Sequence, residues 1–359
     1  MKAIIPTGGR GTRMQPITFS ANKHFIPVAN KPLIFYPIET VVDAGIKDIL
    51  ITYNSGNLNL VKSYLGDGSR WGANFTYVLQ EEPKGMANIF QVCEEALGGE
   101  SFLLHNGDNI FIEGIKKALN HFLKKKPNGL ITMVHHKDNR RLGVPYFDKN
   151  KRLLEYVEKP ENPPHDFAIP GIYFFDSNVF KCFKGEDKIV PSARGELEIG
   201  APFNWLIQHG YKVDVIEYEG KWMDPGKFDD WLDANKYLLD ISKDSNIGSK
   251  LDSETEIEGK VSIGKDCRII NSKLKGPLVI GDGVEIINSH VGPYCSISNN
   301  SFMENSHLEN SVLMEGVKII NVKRPIAMSL IGPGSEIIDS DEDSEAISFF
   351  IGEKSKIDL

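Results

Sequence analysis

Between residues 268 and 321 the chain repeats itself. Aligning RIINSKLKGPLVIGDGV, EIINSHVGPYCSISNNS, FMENSHLENSVLMEGV and KIINV puts Asn271, Asn288, Asn305 and Asn321 in register, at intervals of 17, 17 and 16. Within the units apolar residues recur about every six positions, as in Val291, Ile297 and Met303, or Leu308, Met314 and Ile320. Few folds accept that period. One inward residue per six, with three sides to a coil, is the pattern of a hexapeptide parallel β-helix. A single coil cannot bury its inner face, so stacking must make the core. The repeat region has room for about five or six coils.

Upstream of about residue 240 the periodicity is different. KAIIP, KDILITY, NFTYVL and SFLLHN read as strands, and PLIFYPIETVVDAG, NLVKSYLG, MANIFQVCEEAL and GIKKALNHFLKK as helices. Alternating strands and helices argue for an α/β fold with a parallel sheet covered on both faces. In such sheets ligands bind beyond the C-terminal ends of the strands. The helical segment FDDWLDANKYLLDI then runs out into Ser, Asp, Gly and Lys, which reads as a linker. Two domains are therefore expected, 1–244 and 245–359. The repeat builds its own core, so the first domain is expected to fold without it.

Composition narrows the function. The 359 residues are 41% hydrophobic and 25% charged, ordinary globular material. A net charge of −8 and a pI near 5.7 argue against a broad nucleic-acid surface but leave room for a local basic pocket. No apolar run approaches the length of a membrane span, and MKAIIPTGG has no signal-peptide core. Cys93, Cys182, Cys267 and Cys295 show no CxxC spacing, so neither zinc nor a disulfide framework is indicated. The expected location is cytoplasmic, with no membrane and no nucleic-acid partner.

The first strand leads into TGGRGTR. A P-loop would need Lys-Ser or Lys-Thr after its glycines, and a dinucleotide fingerprint would need a third glycine where Met14 stands; neither is present. What remains is a loop whose backbone N–H groups can cradle an anion, with basic side chains beside it. Arg13 offers a planar fork to phosphate and Lys23 a point charge.

The full string GGRGTRMQPIT…NKHFIPVANKP resembles the signature of the sugar-phosphate nucleotidyltransferases. GDNIF, EKP, GIYFFD, RGELEI and WMDPG follow in that family's order, so the resemblance covers nearly the whole chain. It is strongest toward the long type of glucose-1-phosphate thymidylyltransferase, which carries a C-terminal β-helix. Three departures are visible: Asn22 before the lysine, Pro225 in WMDPG, and IGAP after ELEI. The implied fold is a Rossmann-like nucleotidyltransferase domain with a mostly parallel sheet, followed by a left-handed parallel β-helix. The implied reaction joins a sugar 1-phosphate to the α-phosphorus of a nucleoside triphosphate and releases pyrophosphate. The attacking phosphate is already anionic, so the demand is for positioning and charge stabilisation.

The resemblance also implies roles. Asp108 and Asp224 match metal-binding aspartates, and Mg²⁺, a hard cation, prefers such oxygen donors. Gly8, Gly9, Gly11, Thr12 and Arg13 fall in the nucleotide loop. Arg13, Lys23 and Asp108 would act at the triphosphate. Lys159 and Arg194 match groups that hold the sugar's phosphate, Glu158 would accept from sugar hydroxyls, and Gly143 and Gly171 match backbone positions near the sugar. Gln80 and Gly85 match the segment that reads a pyrimidine, and a Gln amide can pair with the carbonyl and N–H of thymine or uracil. Partners are expected to be a nucleoside triphosphate, a sugar 1-phosphate and further copies of the chain in a homo-oligomer. Three alternatives compete with thymidylyl transfer: uridylyl transfer, a second acyltransferase site at His290 and His307 on the β-helix, and a non-catalytic regulatory subunit.

Overall fold

Lys2–Pro6 is a strand, as its apolar run predicts, and it lies inside an eight-stranded sheet. The strand order is Phe167–Ala168, Gly129–His135, Ile172–Phe175, Phe102–His105, Lys2–Pro6, Asp48–Asn54, Asn74–Gln80, with Val213–Glu217 also paired to Gly129–His135. This computed structural model describes residues 1–9, 11–242 and 245–339. Lys2–Pro6, Asp48–Asn54, Asn74–Gln80 and Phe102–His105 run parallel, so their C-terminal ends share one edge. That edge receives the glycine loop, Asn54, Gln80 and the Asn106–Asp108 turn. Ile4, Ile51, Leu103 and Phe174 are wholly buried, as strands covered on both faces require.

The sheet is mostly parallel, with two reversed strands; the short Phe167–Ala168 runs antiparallel to Gly129–His135. Ile172–Phe175 runs antiparallel to both its neighbours. The chain between His135 and Ile172 contains the antiparallel pair Gly143–Phe147 and Leu153–Glu158 instead of a crossover α-helix, so it returns in the opposite sense.

Packing divides the chain into two units that interleave along the sequence. One is Met1–Gly9 with Ile34–Met223; the other is Arg10–Leu33 with Asp224–Leu359. The linker near residue 244 therefore falls inside the second unit. No described helix is long and apolar enough to cross a membrane.

The second unit contains the repeat, folded as three parallel sheets of five strands each, a left-handed β-helix. Register follows the asparagines. Asn271, Asn288, Asn305 and Asn321 all have positive φ, and their amides form a ladder with links of 2.9, 3.2 and 2.7 Å. Asparagine is among the few residues that tolerate this turn conformation and can also bridge to the next coil. Val291, Ile297, Met303 and Leu308 point inward as expected. Past Leu308 the expected inward pair Met314 and Ile320 is displaced by one: Leu313 and Ile319 fill the core instead. The coil from Asn305 to Asn321 is one residue shorter, and Ile297 pairs with Leu313 in the ladder. His290 and His307 lie on paired strands of adjacent coils, edge to face at 5.7 Å between ring centroids.

Candidate active site

In the first unit, five groups of interest lie at or after the ends of the parallel strands or on the chain inserted between the sheet's strands. The glycine loop comes first. Asn54, at the end of its strand, donates to the Gly8 carbonyl at 2.6 Å and so ties the loop to the sheet. Among the described residues, the N–H groups of Gly8 and Gly9 donate to no backbone carbonyl. Such free N–H groups are what an anion cradle needs.

Gln80 closes the Asn74–Gln80 strand, is 4% exposed, and donates to Asn88 at 3.1 Å at the start of the helix Asn88–Leu97. Gly85 follows with φ +107°, and a Cβ there would stand 2.5 Å from the Leu197 carbonyl oxygen. Only glycine fits that approach. Leu197 donates to the Lys84 carbonyl at 2.8 Å and accepts from Ala87 at 2.9 Å, so the loop after Gln80 is bonded to the RGELEI segment.

Asp108 follows the strand Phe102–His105. Asn109 donates to its carboxylate at 3.0 Å, and Asn109 Oδ1 accepts from Trp222 Nε1 at 2.8 Å and from Gly171 N–H at 3.3 Å. Beneath it His105 is fully buried. Its Nδ1 donates to the Asn106 carbonyl at 2.8 Å, and burial pushes its pKa down to about 4 against the pull of that carbonyl and of Asp108. The ring is therefore neutral at pH 7.

The fifth group is a charged cluster. Glu158 and Gly143 lie opposite each other on paired strands. Glu158 sits 3.6 Å from the Lys159 ammonium and accepts from Tyr156 Oη at 3.2 Å. Burial raises its pKa above the usual carboxylate range; Lys159 and Arg194 pull it back while Glu198 adds to the rise. Arg194 pairs with Glu198 at 3.0 Å, and Ser192 donates to the same carboxylate oxygen at 2.8 Å. Two cations beside partly buried carboxylates make a site able to take an anion such as a phosphate. Gly143 and Gly171 have a reason of their own. Tyr156 fills the space a side chain at Gly143 would need, and Asn106 fills that at Gly171. Side-chain packing thus requires both glycines.

The second unit holds the remaining residues. Thr12–Met14 is a turn of 3-10 helix after Gly11. The Arg13 guanidinium lies against Gly226, where a Cβ would be 3.0 Å from Nη2. Gly226 in turn donates to the Asp224 carbonyl at 2.6 Å across the Asp-Pro-Gly turn. Lys23 is 5% exposed, on a 3-10 turn whose N-cap is Asn22, accepting from His24 N–H at 3.0 Å. The departure at Asn22 is thus a capping residue.

These observations fit one family, and its profile, nucleotidyl transferase, matches residues 2–241. A Streptomyces antibioticus protein named glucose-1-phosphate thymidylyltransferase is 34% identical over 362 residues, covering 100% of this chain and 99% of its own.

The chain belongs to the nucleotidyl transferase family.

A Haloferax volcanii protein named low-salt glycan biosynthesis nucleotidyltransferase is 33% identical over 362 residues, covering 100% of both chains. Among solved structures, a Bacillus anthracis protein in complex with a sucrose matches with a TM-score of 0.62 and 34% identity, covering 68% of this chain and 98% of that one. A UDP-glucose pyrophosphorylase solved with UDP-glucose matches at a TM-score of 0.59 and 21% identity over 67% of this chain and 99% of that one, which shows the fold alone.

Among the described residues no group of three or more His, Cys, Asp or Glu could hold a metal by itself. Two carboxylates are nevertheless the donor set Mg²⁺ accepts, because it keeps waters and takes its other ligands from phosphates. Sequence reasoning missed Asn109, Asn88, Tyr156 and Glu198, which orient the predicted residues. Asn109, in GDNIF, and Glu198, in RGELEI, stood inside the quoted motifs as their only hint.

Proposed function

We propose that this nucleotidyl transferase joins glucose 1-phosphate to dTTP, giving a dTDP-sugar and pyrophosphate. The observation that carries the reading is that Gln80 closes and the Asp108 turn follows parallel strands of one sheet, while the Glu158–Lys159–Arg194 cluster lies on the chain inserted between that sheet's strands. The full-length relative named for thymidylyl transfer supports the same choice.

In this reading the Gln80 amide, held by Asn88, faces the carbonyl–imide edge of a pyrimidine. Arg13, Lys23 and the N–H groups of Gly8, Gly9, Gly11 and Thr12 hold the triphosphate and the departing pyrophosphate. Lys159 and Arg194 hold the sugar's phosphate, Glu158 accepts from sugar hydroxyls, and the backbone at Gly143 and Gly171 borders the sugar. The phosphate oxygen attacks the α-phosphorus in line; its bond forms as the bond to the β-phosphate oxygen breaks, and pyrophosphate leaves with that electron pair. No proton needs to be removed, so the side chains act through position and charge. Asp108 and Asp224 would each offer a carboxylate oxygen to Mg²⁺, with Asn109 fixing the first. When bound, Mg²⁺ supplies charge neutralisation at the phosphate oxygens.

The test is kcat/KM for dTTP, UTP, CTP, GTP and ATP with glucose 1-phosphate saturating and Mg²⁺ present. Thymine and uracil differ by one methyl, so dTTP should lead UTP by roughly ten- to a few hundred-fold, with UTP still turned over. CTP should fall further, because its 4-amino group reverses a hydrogen bond. GTP or ATP as the best substrate would overturn the base assignment.

A further inference from the structure

The hairpin Pro27–Val28 and Lys31–Pro32 follows Lys23 closely and turns at Ala29 and Asn30, both at positive φ. Its tip is bonded on two sides. Ala29 N–H donates to Asn235 Oδ1 at 2.9 Å, and Trp231 Nε1 donates to the Pro27 carbonyl at 2.9 Å, both from the helix Phe228–Ile241. Asn30 Nδ2 donates to the Ile297 carbonyl at 2.9 Å, and Ser298 Oγ donates back to Asn30 Oδ1 at 2.9 Å, both on one β-helix coil. Asn235 completes the circuit by accepting from Ser296 Oγ at 2.7 Å and donating to the Tyr294 carbonyl at 3.3 Å. Lys260 of the β-helix caps the same helix, donating to the Asp240 carbonyl at 2.9 Å.

Burial gives the network its weight. Cys295 and Ile297 point into the coil, so Ser296 faces outward, yet it is 0% exposed; Asn235 is 1% exposed. A buried polar group that loses its partner is costly, so a fully paired network holds its members in one arrangement.

We propose that Asn30, Asn235 and Ser296 form a clamp by which the β-helix positions the loop bearing Arg13 and Lys23. The repeat is then a working part of nucleotide binding, and residues 1–244 are not a self-sufficient enzyme. The kinetic half of this inference rests on the assignment of Arg13 and Lys23 given above.

Two full-length variants test it. Ser296→Ala removes one hydroxyl, and Asn30→Gly keeps a residue that accepts positive φ while removing both amide bonds. Hydrogen–deuterium exchange should rise about tenfold across residues 23–33 in each, on the scale of one buried hydrogen bond. The KM for dTTP should rise several-fold while that for glucose 1-phosphate stays within about twofold, a split that general destabilisation would not produce. Unchanged exchange over 23–33 in both variants would overturn the clamp. Faster exchange with unchanged dTTP kinetics would support the clamp and instead overturn the assignment of Arg13 and Lys23 to the nucleotide.

Discussion

Asn288 and Asn109 are both bridging asparagines, one in each unit of the molecule. Asn288 links Asn271 to Asn305, two residues like itself, one coil away on either side. Asn109 links Asp108, Gly171 and Trp222, which are of different types and up to 113 positions away in sequence. The first bridge is one rung of a ladder and the second occurs once. Repetition spreads stability over equivalent contacts, whereas a site concentrates function in contacts that nothing else duplicates.

The sharpest break between the two regions should come from the carboxylates. Asp108→Asn and Asp224→Asn should each lower turnover by at least about a hundredfold, the scale of one strong transition-state contact. Activity of the unaltered chain should require a divalent cation. Near-normal turnover of either variant in Mg²⁺ would remove the metal assignment and, with it, the contrast in function.

A second contrast lies in stability against pH. Burial depresses His105 from 6.5 to about 4, so between those values the unfolded chain holds a proton that the fold refuses. The contribution of neutral His105 is therefore whole above about pH 6.5 and is lost as pH falls toward about 4. His105→Gln should flatten the acid limb of the melting curve in that window relative to the unaltered chain. Parallel curves for the two proteins would show that His105 carries no such linkage.

The smallest effect should belong to the ladder. Asn288→Ala loses two amide links and strains an alanine at positive φ, for about 1–3 kcal/mol of stability. Denaturant unfolding would measure that loss, and steady-state kinetics should be unchanged. A large loss of turnover would mean that the coils around Asn288 reach the chemistry by a route other than the Asn30 clamp.

The same contrast explains what was legible in the sequence. The β-helix could be read because its six-residue period and its asparagines are restated coil after coil. The one-residue slip at Leu313 and Ile319 escaped because a shortened coil resets the register without changing composition. The parallel strands were visible as apolar runs, and the reversed strand Ile172–Phe175 was not, since an antiparallel return depends on what the intervening chain folds into. In the site, charged motif residues stood out by resemblance. Asn109, Tyr156 and Glu198 did not, because they act on neighbours brought close only by folding. The clamp at Asn30, Asn235 and Ser296 joins three segments that share no local pattern, and no reading along the chain could have found it.

We propose that two sets of cations hold the two substrates, Lys159 with Arg194 the sugar phosphate and Lys23 with Arg13 the nucleotide. Separate KM measurements for dTTP and glucose 1-phosphate on Lys159→Ala and Lys23→Ala test it most directly. Lys159→Ala should raise the KM for glucose 1-phosphate far more than that for dTTP, and Lys23→Ala should weaken the nucleotide side and lower turnover. Equal effects on both substrates in both variants would contradict the division.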